Sequence, residues 1–464
     1  MFDKKIYTKR REKLKSLVKS GIILFPGNNE APFNYPSNTY HFRQDSSFLY
    51  FFGLDKPGLS GIIDVDKGDE ILFGDDPGID DIIWMGPQPL LREMANEVGV
   101  DNTQPTCKIE SFIRDEMQKK RKIHLLPPYR AETKNQLETL LMVRGEGLNT
   151  YISGELIKAV VHLRSVKDEH EIREIEKAVD ITSLMHTTVM KMARPGMVER
   201  ELSGTIEGIS LAHGGPVSFP VILSMNGETL HNHYHGNILE EGRLLLTDAG
   251  AETTMHYAGD ITRTIPVSGK FTRKQKEVYQ IVVDANMKAT EMAKPGITYK
   301  EVHLAAARVI ANGLKMLGIM RGNPEEAVAE GAHALFFPHG LGHMMGLDVH
   351  DMEGLGEDHV GYDNETKRSQ QFGLAYLRLG RKLEKNFVLT NEPGIYFIPA
   401  LISQWENENK FTDFINYNKV KEYLDFGGIR IEDDLLITGS GSRVLGKPVP
   451  KTITEIESYM QQHN

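Results

Sequence analysis

Two aspartates raise the question of what this chain does. In RLLLTDAGAETTMHYAGDITRTIPV (243–267), Asp248 follows the apolar run LLLT and Asp260 precedes ITRT. Both flanking runs have the composition of buried strands, and a buried carboxylate without a partner is costly. As a hairpin with its turn around Thr253–Met255, centred on Thr254, the segment sets Asp248 directly across from Asp260 on one face. Opposed residues in such a pair have Cβ atoms roughly 4.5–5.5 Å apart. Two ionised carboxylates at that distance repel until one takes up a proton. A metal ion, or a pair of ions, between them removes the conflict.

Three further segments offer ligands. FFPHGLGHMMGLDVHD (336–351) sets His339, His343 and His350 among glycine-rich turns. VLTNEPGIYF (388–397) ends an apolar strand at Glu392. GGIRIEDDLLIT (427–438) has the alternation of a single strand with Arg430 and Glu432 on one face. Asp, Asp, His, Glu and Glu form an oxygen-rich donor set with one nitrogen and no sulfur. That set suits Mn²⁺, Co²⁺, Zn²⁺ or Fe²⁺ rather than a structural zinc. Four carboxylates balance two divalent cations, and a bridging hydroxide brings the cluster close to neutrality.

The elements that must position these groups change in texture near residue 165. Before it, short β-rich runs such as GIILF (21–25), GIIDV (61–65) and EILF (70–73) alternate with Gly/Pro/Asp turns and helical stretches, a mixed α/β pattern. From Val166 the apolar residues take helical spacing behind an acidic first turn. The boundary falls at 163–166, dividing the chain into 1–163 and 164–464. The second part contains a repeat: Ala178–Ser203 and Val282–Ala305 each read as a helix stopped by Ala-Arg/Lys-Pro-Gly and followed at once by a second helix. A duplicated half-unit predicts a pseudo-twofold domain with its site where strands of both halves meet.

Bulk properties narrow the function classes. The 464 residues are 40% hydrophobic and 25% charged, with a formal net charge of −10. That balance argues against a general binder of nucleic acid or anionic membranes. The charged N-terminal stretch MFDKKIYTKRREKLKSLV lacks an apolar segment, so no signal peptide is expected there, and no apolar run is long enough to span a bilayer. A single cysteine, Cys107, permits neither an internal disulfide nor a cysteine-built metal site, so a reducing, cytoplasmic setting is expected.

The order DAG…GDITRT, HGLGH…GLDVHD, EPGIYF, GIRIEDD resembles the pita-bread metallopeptidases, the group containing methionine aminopeptidase, aminopeptidase P and prolidase. Each motif alone is weak; all four in order are specific. HFRQDSSFLYFFGL (41–54) resembles the N-terminal domain shared by aminopeptidase P and prolidase and absent from methionine aminopeptidase, which selects the proline-specific branch. The resemblance implies an N-terminal mixed α/β domain followed by a pita-bread catalytic domain. It implies that Asp248, Asp260, His343, Glu392 and Glu432 hold two divalent ions, Mn²⁺ foremost, with Asp260 and Glu432 bridging. It further implies that a bridging hydroxide attacks the scissile carbonyl, that Glu392 shuttles the proton, and that His350 stabilises the tetrahedral intermediate. By the same resemblance His339 is expected to line the substrate pocket and Arg430 to support the carboxylates.

Two departures stand out. The interval from Asp248 to Asp260 is one residue longer than the usual family hairpin. The family histidine before the DAG strand has two candidates in LHNHYHG, His231 by ungapped counting and His233 by its following tyrosine. The branch rests on finer features. The LRLGR segment, with Arg378 and Arg381, resembles the prolidase stretch that supplies an arginine to a dipeptide carboxylate, as does the Asn/Lys-rich insert 397–425. DAG and GDITRT stand closer to aminopeptidase P. The expected activity is therefore that of a Xaa-Pro aminopeptidase acting on peptides with proline second, with prolidase as the alternative. A metal-free peptide-binding relative is disfavoured because all five ligand positions are filled. A homo-oligomer, dimer or tetramer, is expected.

Overall fold

The computed structural model describes residues 1–463. The chain forms two compact units, Met1–Arg164 with Gly354–His359, and Ser165–Glu353 with the residues from Val360 onward. The first unit is built on a mixed five-stranded sheet in the order 102–104, 70–73, 60–64, 22–26, 123–124. Its apolar core includes Ile22, Leu24, Ile62, Phe73, Ile113 and Leu137. The Lys4–Leu17 helix carries Arg11 into this unit's interior, where Nε meets Glu70 Oε2 at 2.6 Å and Nη1 donates to the Phe51 carbonyl at 2.8 Å. The Ser46–Phe52 helix is capped by Asp45, whose side chain accepts from the Phe48 N–H at 2.8 Å. It ends at Gly53 in the left-handed conformation, where a Cβ would lie 2.2 Å from the Tyr7 ring.

The second unit repeats one plan. Helices Glu169–Met192 and Glu199–Ala212 precede a three-stranded sheet of 222–224, 244–249 and 261–266. Helices Arg273–Met292 and Tyr299–Met316 precede the sheet strands 388–391, 433–437 and 442–444. Reciprocal capping starts the first helix of one pair and the second of the other: Asp168 with Glu171, and Thr298 with Glu301. Gly196 (φ 92°) and Gly296 (φ 88°) turn the chain between the paired helices, a backbone that glycine takes without penalty. The halves meet at a seam. Glu432 N–H donates to the Thr262 carbonyl at 3.0 Å, Thr264 Oγ1 to the Arg430 carbonyl at 3.1 Å, and Asp260 N–H to Asp434 Oδ2 at 2.9 Å.

Two sequence expectations need correction. Asp248 does not face Asp260; its cross-strand partner is Thr262, and Ala249 pairs with Ile261. The turn closes around Met255 rather than Thr254, because His256 adopts a left-handed φ of 65° and its N–H bonds to the Thr253 carbonyl at 2.9 Å. The aspartates thus share a face as diagonal neighbours, typically about 7–8 Å apart with their Cβ atoms somewhat closer. The stretch 427–438 is not one strand either. It breaks into Gly428–Arg430, paired with 394–396, and Asp433–Ile437, paired with 388–391. Glu432 sits at the break, where its backbone is free to bond across the seam.

Glycines allow the hairpin to pack this closely. A Cβ on Gly250 would lie 1.8 Å from the Gly259 carbonyl oxygen, and one on Gly259 would lie 2.9 Å from the backbone of the Glu169–Met192 helix at Ala178. The glycines of DAG and AGD are therefore demanded by close approach of main chains.

Candidate active site

A cavity of about 670 Å³ opens over the seam. Asp248, Asp260, His343, Glu392 and Glu432 all line it, together with His231, His233, His339, His350, Arg378 and Arg430. Asp260, His343 and Glu432 bring one donor atom each within 4.8 Å of one another. His343 Nε2 lies 3.6 Å from Asp260 Oδ2 and 3.7 Å from Glu392 Oε1. The Nδ1 of His343 is 3.1 Å from the Met344 carbonyl, a contact that keeps its proton there and turns the Nε2 lone pair toward the carboxylates.

Each half of the repeat supplies part of this set. Asp248 lies within the 244–249 strand and Asp260 just before the 261–266 strand. His343 comes from the glycine-rich loop, whose Gly342 passes so close to the 388–391 strand that a Cβ would meet the Thr390 carbonyl oxygen at 2.1 Å. Glu392 directly follows that strand.

Electrostatics in the cluster call for a cation. Burial, reinforced by Glu432 and Asp248, pushes the Asp260 carboxyl well above its ordinary value. Burial, together with Glu392 and Asp248, does the same to Glu432. Burial raises Glu392 to about 7 despite the opposing charge of Arg430. Asp248 Oδ1 and Asp260 Oδ1 are buried without a hydrogen-bond partner. Orphaned acceptors on crowded carboxylates are what a bound divalent cation satisfies, and the oxygen-rich set with one neutral imidazole fits such an ion. Burial and the neighbouring His350 hold His343 well below the ordinary histidine value, so its ring is available as a neutral ligand.

Other side chains fix these groups, and most of them escaped the sequence reading. Arg430 donates from Nη2 to Asp248 Oδ2 at 2.6 Å and from Nη1 to the Tyr396 hydroxyl at 2.7 Å. That hydroxyl also lies 2.9 Å from His339 Nε2. Thr262 donates to Glu432 Oε2 at 2.7 Å. Thr390 Oγ1 accepts from the His343 N–H at 3.1 Å and lies 3.4 Å from Glu392 Oε1. Thr262 had a signal in the pattern GDITRT, because it lies two residues beyond Asp260 and so on the same strand face. Tyr396 and Thr390 had none beyond standing next to a ligand motif.

The histidines divide clearly. His339 lies 3.8 Å from Glu392 through Nδ1, and burial takes it down to about 3, so it is neutral. His231 and His233 both reach the cavity, whereas His235 is turned to Ser203 Oγ at 3.2 Å and the Val221 carbonyl at 3.1 Å. Burial, followed by the charge of Arg430, lowers His231. The His350 ring stands edge-on to His343 with centroids 4.1 Å apart. Of the two arginines in LRLGR, Arg378 lines the cavity, while Arg381 bonds Ser165 Oγ at 2.9 Å and lies over the Phe387 ring.

Known proteins resemble the chain along nearly its whole length. Residues 173–439 match metallopeptidase family M24, and residues 7–125 match the aminopeptidase P N-terminal domain. A probable Xaa-Pro aminopeptidase of Uncinocarpus reesii is 32% identical over 460 residues, covering 96% of this chain and 90% of that protein. A Xaa-Pro dipeptidase of Homo sapiens is 32% identical over 454 residues, covering 96% and 89%. The structure of Zn-substituted E. coli aminopeptidase P in complex with product superposes with a TM-score of 0.82 at 29% identity, covering 100% of this chain and 99% of that one. A buried carboxylate–histidine cluster on a duplicated scaffold, matched along nearly the whole chain, leads to one assignment: this protein belongs to metallopeptidase family M24 and is a hydrolytic metallopeptidase with the pita-bread fold.

Proposed function

We propose that the protein is a Xaa-Pro aminopeptidase that removes the first residue from peptides with proline in the second position. The observation that carries this reading is the cluster of carboxylates and His343 at the floor of a largely apolar cavity. Asp248, Asp260, His343, Glu392 and Glu432 would hold two divalent ions, natively Mn²⁺, with Asp260 and Glu432 shared between them. Bound there, the ions supply Lewis acidity toward the scissile carbonyl and acidify water.

The remaining roles belong to the chain itself. The bond before proline is a tertiary amide without an N–H, so the ring is recognised by shape, against apolar walls such as Phe219, Leu230 and Ile398. Glu392 carries the proton to the leaving proline nitrogen, a general acid/base role. His350 donates to the oxygen that gains charge as the carbonyl is attacked. His339 and His231 border the substrate, and Arg430 holds Asp248 in its ligating position.

Prolidase is the second reading, favoured by one observation: Arg378 borders the cavity, where it could meet the carboxylate of a dipeptide. Turnover of Ala-Pro against Ala-Pro-Ala with Mn²⁺ separates the two. Faster tripeptide cleavage is expected, and faster dipeptide cleavage would transfer the assignment to prolidase. A cytoplasmic setting agrees with the free Cys107. Among the described residues no helix is long and apolar enough to cross a membrane. Self-association agrees with the exposed Ile83, Trp84 and Met85 of the first unit, and light scattering in solution tests it.

A further inference from the structure

Glu353 stands near the cavity among groups that bear on substrate length, although it is no metal ligand. Its Oε2 accepts from His350 Nδ1 at 2.5 Å and lies 3.4 Å from Arg378 Nε. One oxygen thus engages both the imidazole beside the metal ligand His343 and the cavity-lining arginine. The hydrogen bond from His350, with help from Arg378, holds the Glu353 carboxyl below its ordinary value, so Glu353 is ionised at neutral pH.

An arginine paired with a carboxylate is a different recognition element from one without. A peptide that ends at proline brings a second carboxylate to the same guanidinium, where it meets the charge of Glu353. A peptide that continues past proline brings a neutral amide and meets no such opposition. Discrimination of this kind comes from a repulsive group as much as from an attractive one. We propose that Glu353 sets the peptide-length preference of the site by pairing with Arg378, thereby disfavouring substrates with a free carboxylate next to proline. Glu353 acts through Arg378 and is a positioning residue. The inference rests on the Xaa-Pro reading of the site.

The test is a double-mutant cycle on kcat/KM for Ala-Pro and Ala-Pro-Ala, using the Mn²⁺-loaded full chain as wild type, Glu353→Gln, Arg378→Ala and the double variant. Glutamine keeps an oxygen for His350 Nδ1–H and removes only the charge. The dipeptide-to-tripeptide ratio is expected to rise at least about threefold in Glu353→Gln, mainly through a lower dipeptide KM. In the Arg378→Ala background the same substitution should shift the ratio by less than that. A smaller rise in Glu353→Gln, or an equal rise without Arg378, overturns the inference while leaving the Xaa-Pro reading intact. A wild type that cleaves neither substrate overturns both. The ratio is read against wild type, so the test holds even if the dipeptide proves the better substrate.

Discussion

Arg430 and Asp248 form a buried ion pair, Nη2 to Oδ2 at 2.6 Å, in which the second carboxylate oxygen of Asp248 stays without a protein partner. The guanidinium fork joins that contact to the Tyr396 hydroxyl and, through Nε, to Thr262 Oγ1 at 3.2 Å. Lysine can reproduce the charge but not the fork. Arg430→Lys is expected to weaken Mn²⁺ binding by about 10–100-fold, the range seen when a ligand's supporting residue is changed. Calorimetric titration of the chelator-stripped protein measures this, and unaltered affinity would show that Arg430 does not support the ligand.

On the proposed reading, Asp260 and Glu432, one from each half of the repeat, would both serve the pair of cations. Removing either leaves two cations with less charge between them. Asp260→Ala and Glu432→Ala are each expected to abolish turnover, with metal content falling in parallel. Near-normal turnover with metal retained in either variant would exclude a shared role.

Recognition of a ring without an N–H predicts a clear substrate contrast. Ala-Ala-Ala should be cleaved at least about tenfold less well than Ala-Pro-Ala, roughly 1.4 kcal/mol of transition-state binding. Equal kcat/KM values would remove proline from the assignment.

In the metal-free protein the carboxyls should be visible in stability. Asp260, Glu432 and Glu392 are raised in the folded state, Glu392 from 4.5 to about 7. A raised carboxyl binds more protons folded than unfolded, so stability falls as pH climbs from the unfolded value to the folded one, and the cost is complete above it. The melting temperature of chelated protein should decline between about pH 5 and about pH 7.5, less steeply in Glu432→Gln. An identical slope in that variant would mean that the cluster is not the source.

The four motifs, whose carboxylates and histidines line one cavity, were legible because each is a local pattern: a carboxylate at a strand end, or histidines among glycines. The repeat was legible because Pro-Gly stops a helix wherever it occurs. What escaped was set by backbone detail. The left-handed turn at His256 moved the hairpin register by two residues, and no side-chain alternation around Asp248 encodes where a turn closes. The break beside Glu432 was hidden because GIRIEDDLLI alternates as smoothly as an unbroken strand, although its two parts pair with different neighbours. Thr390, Tyr396 and Asp434 act through contacts between segments distant in sequence, which spacing alone does not reveal.

The seam has a dynamic corollary. The Glu432 N–H bonds to the Thr262 carbonyl from across the repeat, and the Asp260 N–H bonds to Asp434. These amides can exchange their hydrogens with solvent only when the two halves part. Their protection therefore reports the opening free energy of the interface rather than of either sheet, and a cation held from both sides should slow exchange at Asp260 and Glu432 together while leaving the outer strand 442–444 unaffected.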